Sequence, residues 1–587
     1  MCGIFAVISK KKKSLNKEKC IKSISSIYNR GPDHMKYQFF DNYTIFIANT
    51  ILSITGEIKN NNQILHSKRY YISFNGEIYN YKELFKNYLS GYDFINKDSD
   101  TEVLLYLHEV LDHKKLPRSL NGMFAYLIYD LIDKKIKIVN DPQGEKNLYY
   151  YEDNNYFIVS SNIRSILDFV GEYKLDFKTL ENYYKTRHYM PLEKTCFEKI
   201  KIFPHGTFFS YDLKNNEYFL FIYENPVDWI SEKKYEYFNK FTDEEIIDFF
   251  DYELNSQIKL MIPKIKFGCI ISGGIDSTLQ AAIISKYSDP DVNLVIDYGF
   301  KKDQIASKIS IFQKYFKNQI EQIKFKKKDY IKFAYSCYDT ICSPMQTHDL
   351  PGRYIISKNF SKKNCKVFFS ADGCDEIFGG QQIYYNLYKK KFNYKNNISP
   401  YSTCHNLIIK KDKQDYFSNE MSKKWNEIYK KYEFVKCDKS RNILSSLFLD
   451  YTLQSTSVAN RSNDLICCSN SVEPRNVFIQ KKILMTAFNL NLKFKLNYKL
   501  KPIYRQKYIL KKLFERYLNK KLILKKQGFS GYPEEINKKA NIKKNFSKIV
   551  KNIKKKSINS YVDKKNFYRD LKWKIANEKI FLKKFLC

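Results

Sequence analysis

Residues Phe267 to Ser277 read Phe-Gly-Cys-Ile-Ile-Ser-Gly-Gly-Ile-Asp-Ser, and this stretch constrains the fold more than any other in the chain. Cys269, Ile270 and Ile271 form an apolar run suited to a short buried strand. Gly273 and Gly274 turn the backbone tightly, and Ala281 to Lys286 continues as helix. A strand that turns on glycine into a helix exposes successive backbone N–H groups at the positive end of the helix dipole, with no Cβ to hold a polyphosphate away. Ser272 and Ser277 add hydroxyl donors, and Asp276 sets a carboxylate where a Mg²⁺ bridging phosphates needs one. The spacing is not that of a Walker loop, which ends in Gly-Lys-Ser/Thr.

The residues around this turn alternate between strand and helix patterns. Thr242 is a good N-cap, with Glu245 at the capping-box position. Ile246, Phe249, Phe250, Leu254 and Met261 fall near one helical face before Pro263. Strands are expected at Phe267–Ile271, Leu294–Tyr298, Gln322–Phe325 and Lys366–Ser370, with helices through Ala282, Ile305–Phe316 and Tyr354–Lys358. Such alternation predicts a parallel sheet covered by helices, with ligands at the carboxyl ends of the strands. The N-terminal part differs. Short alternating runs at Thr44–Ala48, Tyr70–Phe74, Ala125–Tyr129, Lys135–Asn140 and Tyr156–Ser160, with helices at Ile21–Tyr28 and Thr101–Leu111, predict antiparallel sheets in a layered α+β domain. The expected organisation is a first domain over 1–205, a linker over 206–240, an α/β domain over 241–535 and a peripheral Lys-rich helical tail over 536–587.

The length of 587 residues suits two to four domains, each with its own core. A formal net charge of +38, from 101 Lys+Arg against 63 Asp+Glu, raises the question of a nucleic-acid partner. The excess is mostly Lys spread over the whole length, including the runs Lys10–Lys13 and Lys551–Lys556, rather than an Arg-rich stripe, so no nucleic acid is expected. The 13 cysteines show no paired CxxC spacing, which argues against structural zinc and for free thiols in a reducing cytosol. There is no apolar run of membrane-spanning length and no charged-then-apolar leader, so the expectation is a cytoplasmic protein with no membrane partner.

Five further stretches carry a resemblance. Met1-Cys2-Gly3-Ile4-Phe5 would, once Met1 is removed, present a terminal thiol whose own α-amine, with a pKa of roughly 8, can serve as its base. Arg30-Gly31-Pro32-Asp33, Asn75-Gly76-Glu77-Ile78-Tyr79-Asn80 and Asp98-Ser99-Asp100-Thr101-Glu102 follow, and Ser370-Ala371-Asp372-Gly373-Cys374-Asp375-Glu376 lies in the second half. With the Ser-Gly-Gly-Ile-Asp-Ser turn, these strings resemble the glutamine-dependent asparagine synthetases, from Cys2 to about Gly531. The resemblance implies an N-terminal-nucleophile glutaminase domain of antiparallel αββα type joined to an ATP-pyrophosphatase domain. It implies Cys2 as nucleophile, Asn75 and Gly76 as oxyanion donors, and Glu77 and Asp100 as glutamine contacts. In the second domain it implies ATP and pyrophosphate binding by Ser272, Gly273, Gly274, Ile275, Asp276, Ser277, Tyr298, Ser370, Ala371, Asp372 and Gly373. Mg²⁺ falls on Asp276, and Lys507, in Tyr504-Arg505-Gln506-Lys507-Tyr508-Ile509-Leu510, neutralises the departing pyrophosphate from its helix. Thiolate attack on an amide creates an oxyanion that needs preorganised donors, which is the chemical reason for the Asn-Gly pair.

The chain departs from the family pattern in places. Ile51 stands where an Arg usually grips the glutamine carboxylate, and Pro142 replaces an Arg in Asp141-Pro142-Gln143-Gly144. Ser343 stands where a Glu is common in the acceptor region, with His348 or Asp349 as replacement bases. Only part of the usual Glu-x-Arg-x-Pro-Phe-Leu-Asp segment survives in Glu473 to Gln480. The reading that follows is an ATP-dependent, glutamine-hydrolysing amidotransferase, with aspartate as the carboxylate acceptor and asparagine, AMP and pyrophosphate as products. The alternatives are amidation of another carboxylate such as a uronic-acid sugar, a non-catalytic regulatory relative, and a basic nucleic-acid binder. The sequence is silent on oligomeric state, a homodimer being the assembly considered.

Overall fold

In the computed structural model of the chain, residues 2–55, 66–92, 98–185, 193–299, 309–389, 416–523, 531–541 and 564–586 are described. Met1, Phe300, the first residues of the expected Ile305–Phe316 helix and the Lys551–Lys556 run lie outside them.

The strand Gly3–Ser9 is buried along its whole length because its two faces serve two layers. Alternate side chains point to opposite faces of a strand. Ile4, Ala6 and Ile8 join a core with Ile45, Ile47, Leu127, Tyr129 and Ile138, while Phe5 and Val7 join another with Cys20, Ile24 and Ile166 from helices. Gly3–Ser9 sits in a six-stranded antiparallel sheet ordered His34–Phe40, Ile45–Ile51, Gly3–Ser9, Tyr156–Ser160, Tyr149–Glu152 and Ile200–Ile202. Facing it is a five-stranded sheet ordered Glu217–Ile222, Thr207–Asp212, Lys135–Asn140, Gly122–Asp130 and Tyr70–Ile78. The far face of this second sheet buries Ile72, Phe74 and Ile128 against Val103, Leu104 and Leu107 of the helix Asp100–Val110. The four layers are helix, sheet, sheet and helix, as expected for the first domain.

Residues 207–222 do not link domains, contrary to the expected boundary at 205. Thr207–Asp212 pairs with Lys135–Asn140, and Glu217–Ile222 pairs with Thr207–Asp212, so the stretch completes the second sheet. Its aromatic residues occupy strand positions, where aromatic side chains are favoured, rather than an irregular connection.

The second domain opens on the predicted capping box. Thr242 accepts from the Glu245 N–H, the Glu245 carboxylate accepts from the Thr242 N–H at 2.8 Å, and the helix runs Asp243–Met261. Its sheet is parallel throughout, ordered Ile320–Lys324, Val292–Asp297, Phe267–Ile270, Val367–Phe369 and Glu473–Arg475. The chain builds outward on one side of Phe267–Ile270 and then returns to build on the other. The crevice at the carboxyl ends of Phe267–Ile270 and Val367–Phe369 is therefore the topological switch point, where open α/β sheets bind ligands. Glu473–Arg475, read as motif, is itself a strand, and the expected short helix at Tyr354–Lys358 extends over Leu350–Lys362 with Pro351 in its first turn, where proline lacks nothing it needs.

The tail is not peripheral. The helix Lys564–Phe585 buries Leu571, Trp573, Ala576 and Phe581 in the core that also holds Tyr183 of the first domain and Tyr338 and Met345 of the second. Sparse apolar residues hid this because a long helix needs only one narrow stripe to dock. Phe581→Ala should cost about 3–5 kcal/mol, seen as a lower denaturation midpoint. A solvated tail would lose less than about 0.5 kcal/mol.

Candidate functional site

At the first site, Cys2 is half-buried at the start of Gly3–Ser9. Its backbone N–H donates to Asn75 Oδ1 at 3.1 Å. Asn75 lies within the strand Tyr70–Ile78, fully buried, and its Nδ2 has no partner among the described residues. An amide N–H left aimed without a partner suits a developing oxyanion, since burying it unsatisfied otherwise carries a penalty. Gly76 is required by space as well as chemistry, because a Cβ there would meet Met123 O at 2.1 Å. Burial pushes the Cys2 thiol up, with a hydrogen bond from the Leu52 backbone opposing. Forming a thiolate therefore calls for a base.

Asp100 is the first residue of its helix, N-capped by Ser99. Its buried carboxylate accepts from Ile78 N–H and Thr55 Oγ1, both at 3.0 Å, and burial raises its pKa. Glu77 is also buried and lies 3.3 Å from the Arg475 guanidinium, a residue of the other domain. Ile51, at the end of Ile45–Ile51, contributes no charge, and Lys366 Nζ reaches the adjacent segment by donating to Ser53 O at 3.3 Å and to Asp33 at 2.7 Å.

At the second site, Ser272, Gly273 and Gly274 connect Phe267–Ile270 to the helix Ile275–Ile284, as predicted. Gly273 has φ +73°, the left-handed region that favours glycine. The Ser272 and Ser277 hydroxyls are 2.7 Å apart, and the Gly274 N–H donates to Ser272 Oγ at 3.3 Å. Asp276 ion-pairs with Lys507, whose Nζ lies 2.6 Å from Asp375 Oδ1 as well. Burial alone would lower the Lys507 pKa, but the two carboxylates outweigh it and hold the ammonium protonated. Lys507 is not on a helix, as the sequence suggested. It has φ +52° and stands just before Tyr508–Tyr517. A dipeptide turn preceding a helix cannot be told from its first turn by periodicity. Two carboxylates, two hydroxyls and a glycine turn at a helix start are a donor set that fits a Mg²⁺-bound polyphosphate. Asp375, inside a quoted motif yet given no role, belongs to this set.

Ser370 follows Val367–Phe369, and its carbonyl accepts from Gln280 Nε2 at 2.9 Å, which ties the second loop to the helix that follows the first. Ala371 is next to it and partly buried. Asp372 is already engaged: Arg353 Nη2 and Asn463 Nδ2 each donate to its carboxylate at 2.8 Å, and Asn476 donates to its carbonyl. A Cβ on Gly373, at φ +85°, would meet Ile479 at 3.0 Å and Ser455 Oγ at 3.2 Å. Tyr298 lies past Val292–Asp297 with its ring in an aromatic cluster, 5.6 Å from Phe325 and 6.1 Å from Tyr532. Asp349 is buried against Arg353 at 2.6 Å, and the His348 ring lies 5.3 Å from Trp573.

A buried seam joins the two sites. Arg30 donates through Nε to Cys2 O at 3.2 Å and through Nη2 to Asp464 at 2.9 Å. Asp464 lines a small polar cavity with Glu145, Lys146, Ser370, Asn463 and Asn476, with room for about one or two molecules the size of water. Asn463 in turn holds Asp372. Sequence reading missed Asn460, Asn463 and Asp464. They lie on a continuous helical stretch, Asp438–Asp450, Tyr451–Asn460 and Arg461–Cys468, whose middle part has wide π-type turns of the kind often found at functional sites. These polar residues are buried from Asn460 to Asp464, which is a property of the fold that their residue types do not announce.

Residues 1–221 match the family model described as glutamine amidotransferase domain, and residues 255–579 match the one described as asparagine synthase. The chain belongs to the asparagine synthase family. Relatives include asparagine synthetase (glutamine-hydrolyzing) 1 of Bacillus subtilis, 28% identical over 414 residues, which are 67% of this chain and 60% of that protein. The asparagine synthetase (glutamine-hydrolyzing) of Rattus norvegicus is 23% identical over 413 residues, 66% of this chain and 67% of that protein. Among the described residues no helix is long and apolar enough to cross a membrane.

Arg30 and Asp464 are about 2% and 1% exposed, so neither charge has water to fall back on. Arg30→Met should destabilise by about 3–5 kcal/mol, measured by chemical denaturation, because it leaves Asp464 buried without its guanidinium.

Proposed function

We propose that the protein is a glutamine-hydrolysing, ATP-dependent amidotransferase that makes asparagine from aspartate. The observation that carries the reading is the continuous buried seam from Cys2 through Arg30 and Asp464 to the Asp372 loop. It ties a thiol beside an unpartnered amide donor to a phosphate-type cradle, which suits two reactions run in sequence.

In the first reaction the α-amine of Cys2, once Met1 is removed, takes the thiol proton. The thiolate attacks the glutamine amide carbonyl, and Asn75 Nδ2 with the Gly76 backbone receives the oxyanion. Its collapse breaks the C–N bond, the α-amine returns its proton to the leaving nitrogen as ammonia, and water then hydrolyses the γ-glutamyl thioester to glutamate and free Cys2. Asp100 holds the substrate's ammonium. In the second, Ser272, Ser277 and the N–H groups of the turn orient the phosphates, and Lys507 meets the charge of the departing pyrophosphate. Mg²⁺, held by Asp276 and Asp375, would supply neutralising charge to the phosphates. The acceptor carboxylate attacks the α-phosphorus of ATP and displaces pyrophosphate, and ammonia that has crossed between the domains attacks the resulting acyl adenylate, giving the amide with loss of AMP and a proton.

With ATP, Mg²⁺, ammonia and aspartate the purified protein should give asparagine, AMP and pyrophosphate. Pyrophosphate release with a sugar acid but not with aspartate would move the acceptor to the uronic-acid class, and release with neither would overturn the reading. Cys2→Ala should lower glutamine-dependent product by about 10³-fold or more while sparing ammonia-dependent product. An unchanged glutamine rate would remove Cys2 as nucleophile. Ile51→Arg should lower the glutamine KM by about tenfold, because a guanidinium can pair the substrate carboxylate as an isoleucine cannot.

A further inference from the structure

The segment Ser343–Asp349 carries the altered acceptor region and ends on the side chain that holds the second site. Asp349 pairs with Arg353, and Arg353 donates to Asp372. The segment has no regular structure beyond a bend and a turn, so its own backbone ladder does not set its course. What sets it is a set of side chains from three other elements. Tyr330 OH donates to His348 O at 2.8 Å. At Met345 both backbone groups are taken by one side chain from the C-terminal helix: Asn577 Nδ2 donates to Met345 O at 2.7 Å, and Asn577 Oδ1 accepts from Met345 N–H at 3.3 Å.

A primary amide is the neutral side chain that offers a donor and an acceptor in one fork, so it can stand in for a neighbouring strand at a single residue. Asn577 is fully buried, and it also bonds the hydroxyls of Tyr338 and Tyr183. Tyr183, from the first domain's helix Phe177–Lys185, donates to Met345 O at 2.5 Å. Lys574 Nζ, one helical turn earlier, donates to Tyr183 O at 2.8 Å. The first domain, the acceptor segment and the chain's last helix therefore meet on one peptide unit. Ser343 and Gln346 of the segment line a small cavity with Arg461.

We propose that Asn577 is a positioning residue for the acceptor segment, and that by fixing Met345 it sets, through the chain Asp349–Arg353–Asp372, the shape of the synthetase site in which the carboxylate acceptor is held. This rests on the amidotransferase reading above. A segment without a ladder keeps one path only while its few hydrogen bonds hold, and a shift of about 1 Å at a binding loop can cost up to about 100-fold in rate.

The test is steady-state kinetics on the full chain with ATP, Mg²⁺, ammonia and aspartate, read as pyrophosphate release, beside glutaminase activity read as glutamate release. Asn577→Ala should raise the aspartate KM by about 10- to 100-fold, with the glutaminase rate within about twofold of the parent. A structural role alone would lower the melting temperature and reduce all activities together through the amount of folded protein. Tyr338→Phe deletes one hydroxyl from the same cluster, and it should shift the aspartate KM in the same direction by a smaller factor. If the parent protein releases pyrophosphate with aspartate and the aspartate KM is unchanged in Asn577→Ala, the proposal is overturned. Should that variant not fold, an unchanged KM in Tyr338→Phe overturns it instead. A parent that releases no pyrophosphate with aspartate would instead count against aspartate as the acceptor in the reading above.

Discussion

The ion pair between Arg30 and Asp464 is the contact on which the rest of the arrangement depends. Two charges removed from water are tolerated only in good geometry with their remaining hydrogen bonds satisfied. Arg30 meets most of this by bonding Asp464 on one side and the Cys2 carbonyl on the other, while its Nη1 has no hydrogen-bond partner among the described residues. Lys146 adds a second cation 3.7 Å from Asp464. Alongside, Arg475 lies between Glu473 and Glu77 and over the Tyr79 ring, while Gln480 donates to Glu145 at 2.9 Å. A polar seam of this kind is a poor source of net stability, but it tolerates few registers. Sliding one domain over the other would leave several charges buried and alone.

That register has a chemical meaning. The glycine turn and the Ser370 loop are brought together by the parallel sheet, at the point where its strand order reverses, and Gln280 bridges from the helix after the first loop to the backbone of the second. The same sheet places Glu473–Arg475 at its edge, and Arg475 is the residue that reaches back to Glu77. One strand thus belongs to the wall of the second site and to the floor of the first. The departures from the family pattern fall at the ends of this system, at Ile51 in the first domain and at Ser343 in the second, whereas the seam between them is built of ion pairs that cross from one domain to the other.

The second domain also shows how a loop at the switch point of its sheet can be held without regular structure. Asp372 has its carboxylate bound by Arg353 and Asn463 and its carbonyl by Asn476, so the loop is fixed by side chains from three directions. Met345 is fixed in the same manner by Asn577. In both cases the fixing residue comes from a distant part of the chain. Such bonds exclude water and preorganise the site at the expense of tolerance to substitution.

The sequence alone determined much. The Ser-Gly-Gly-Ile-Asp-Ser turn, the capping box at Thr242 and the period-two runs around Tyr70, Ala125 and Lys135 are local signals, and each became the element it predicted, because turn chemistry, capping and alternation act over only a few residues. The family motifs named Cys2, Asn75, Asp276 and Lys507 as candidates, and the fold sets Cys2 against Asn75 and Asp276 against Lys507. Only the tertiary structure decided that residues 207–222 close the second sheet, that Lys507 is gripped by Asp276 and Asp375 together, and that Asn463, Asp464 and Asn577 matter at all. Those facts arise from pairing across hundreds of residues. A buried Asn on a Lys-rich helix looks like any solvated one until its partners are known, since what distinguishes it is the water it has lost and the backbone group that replaces that water.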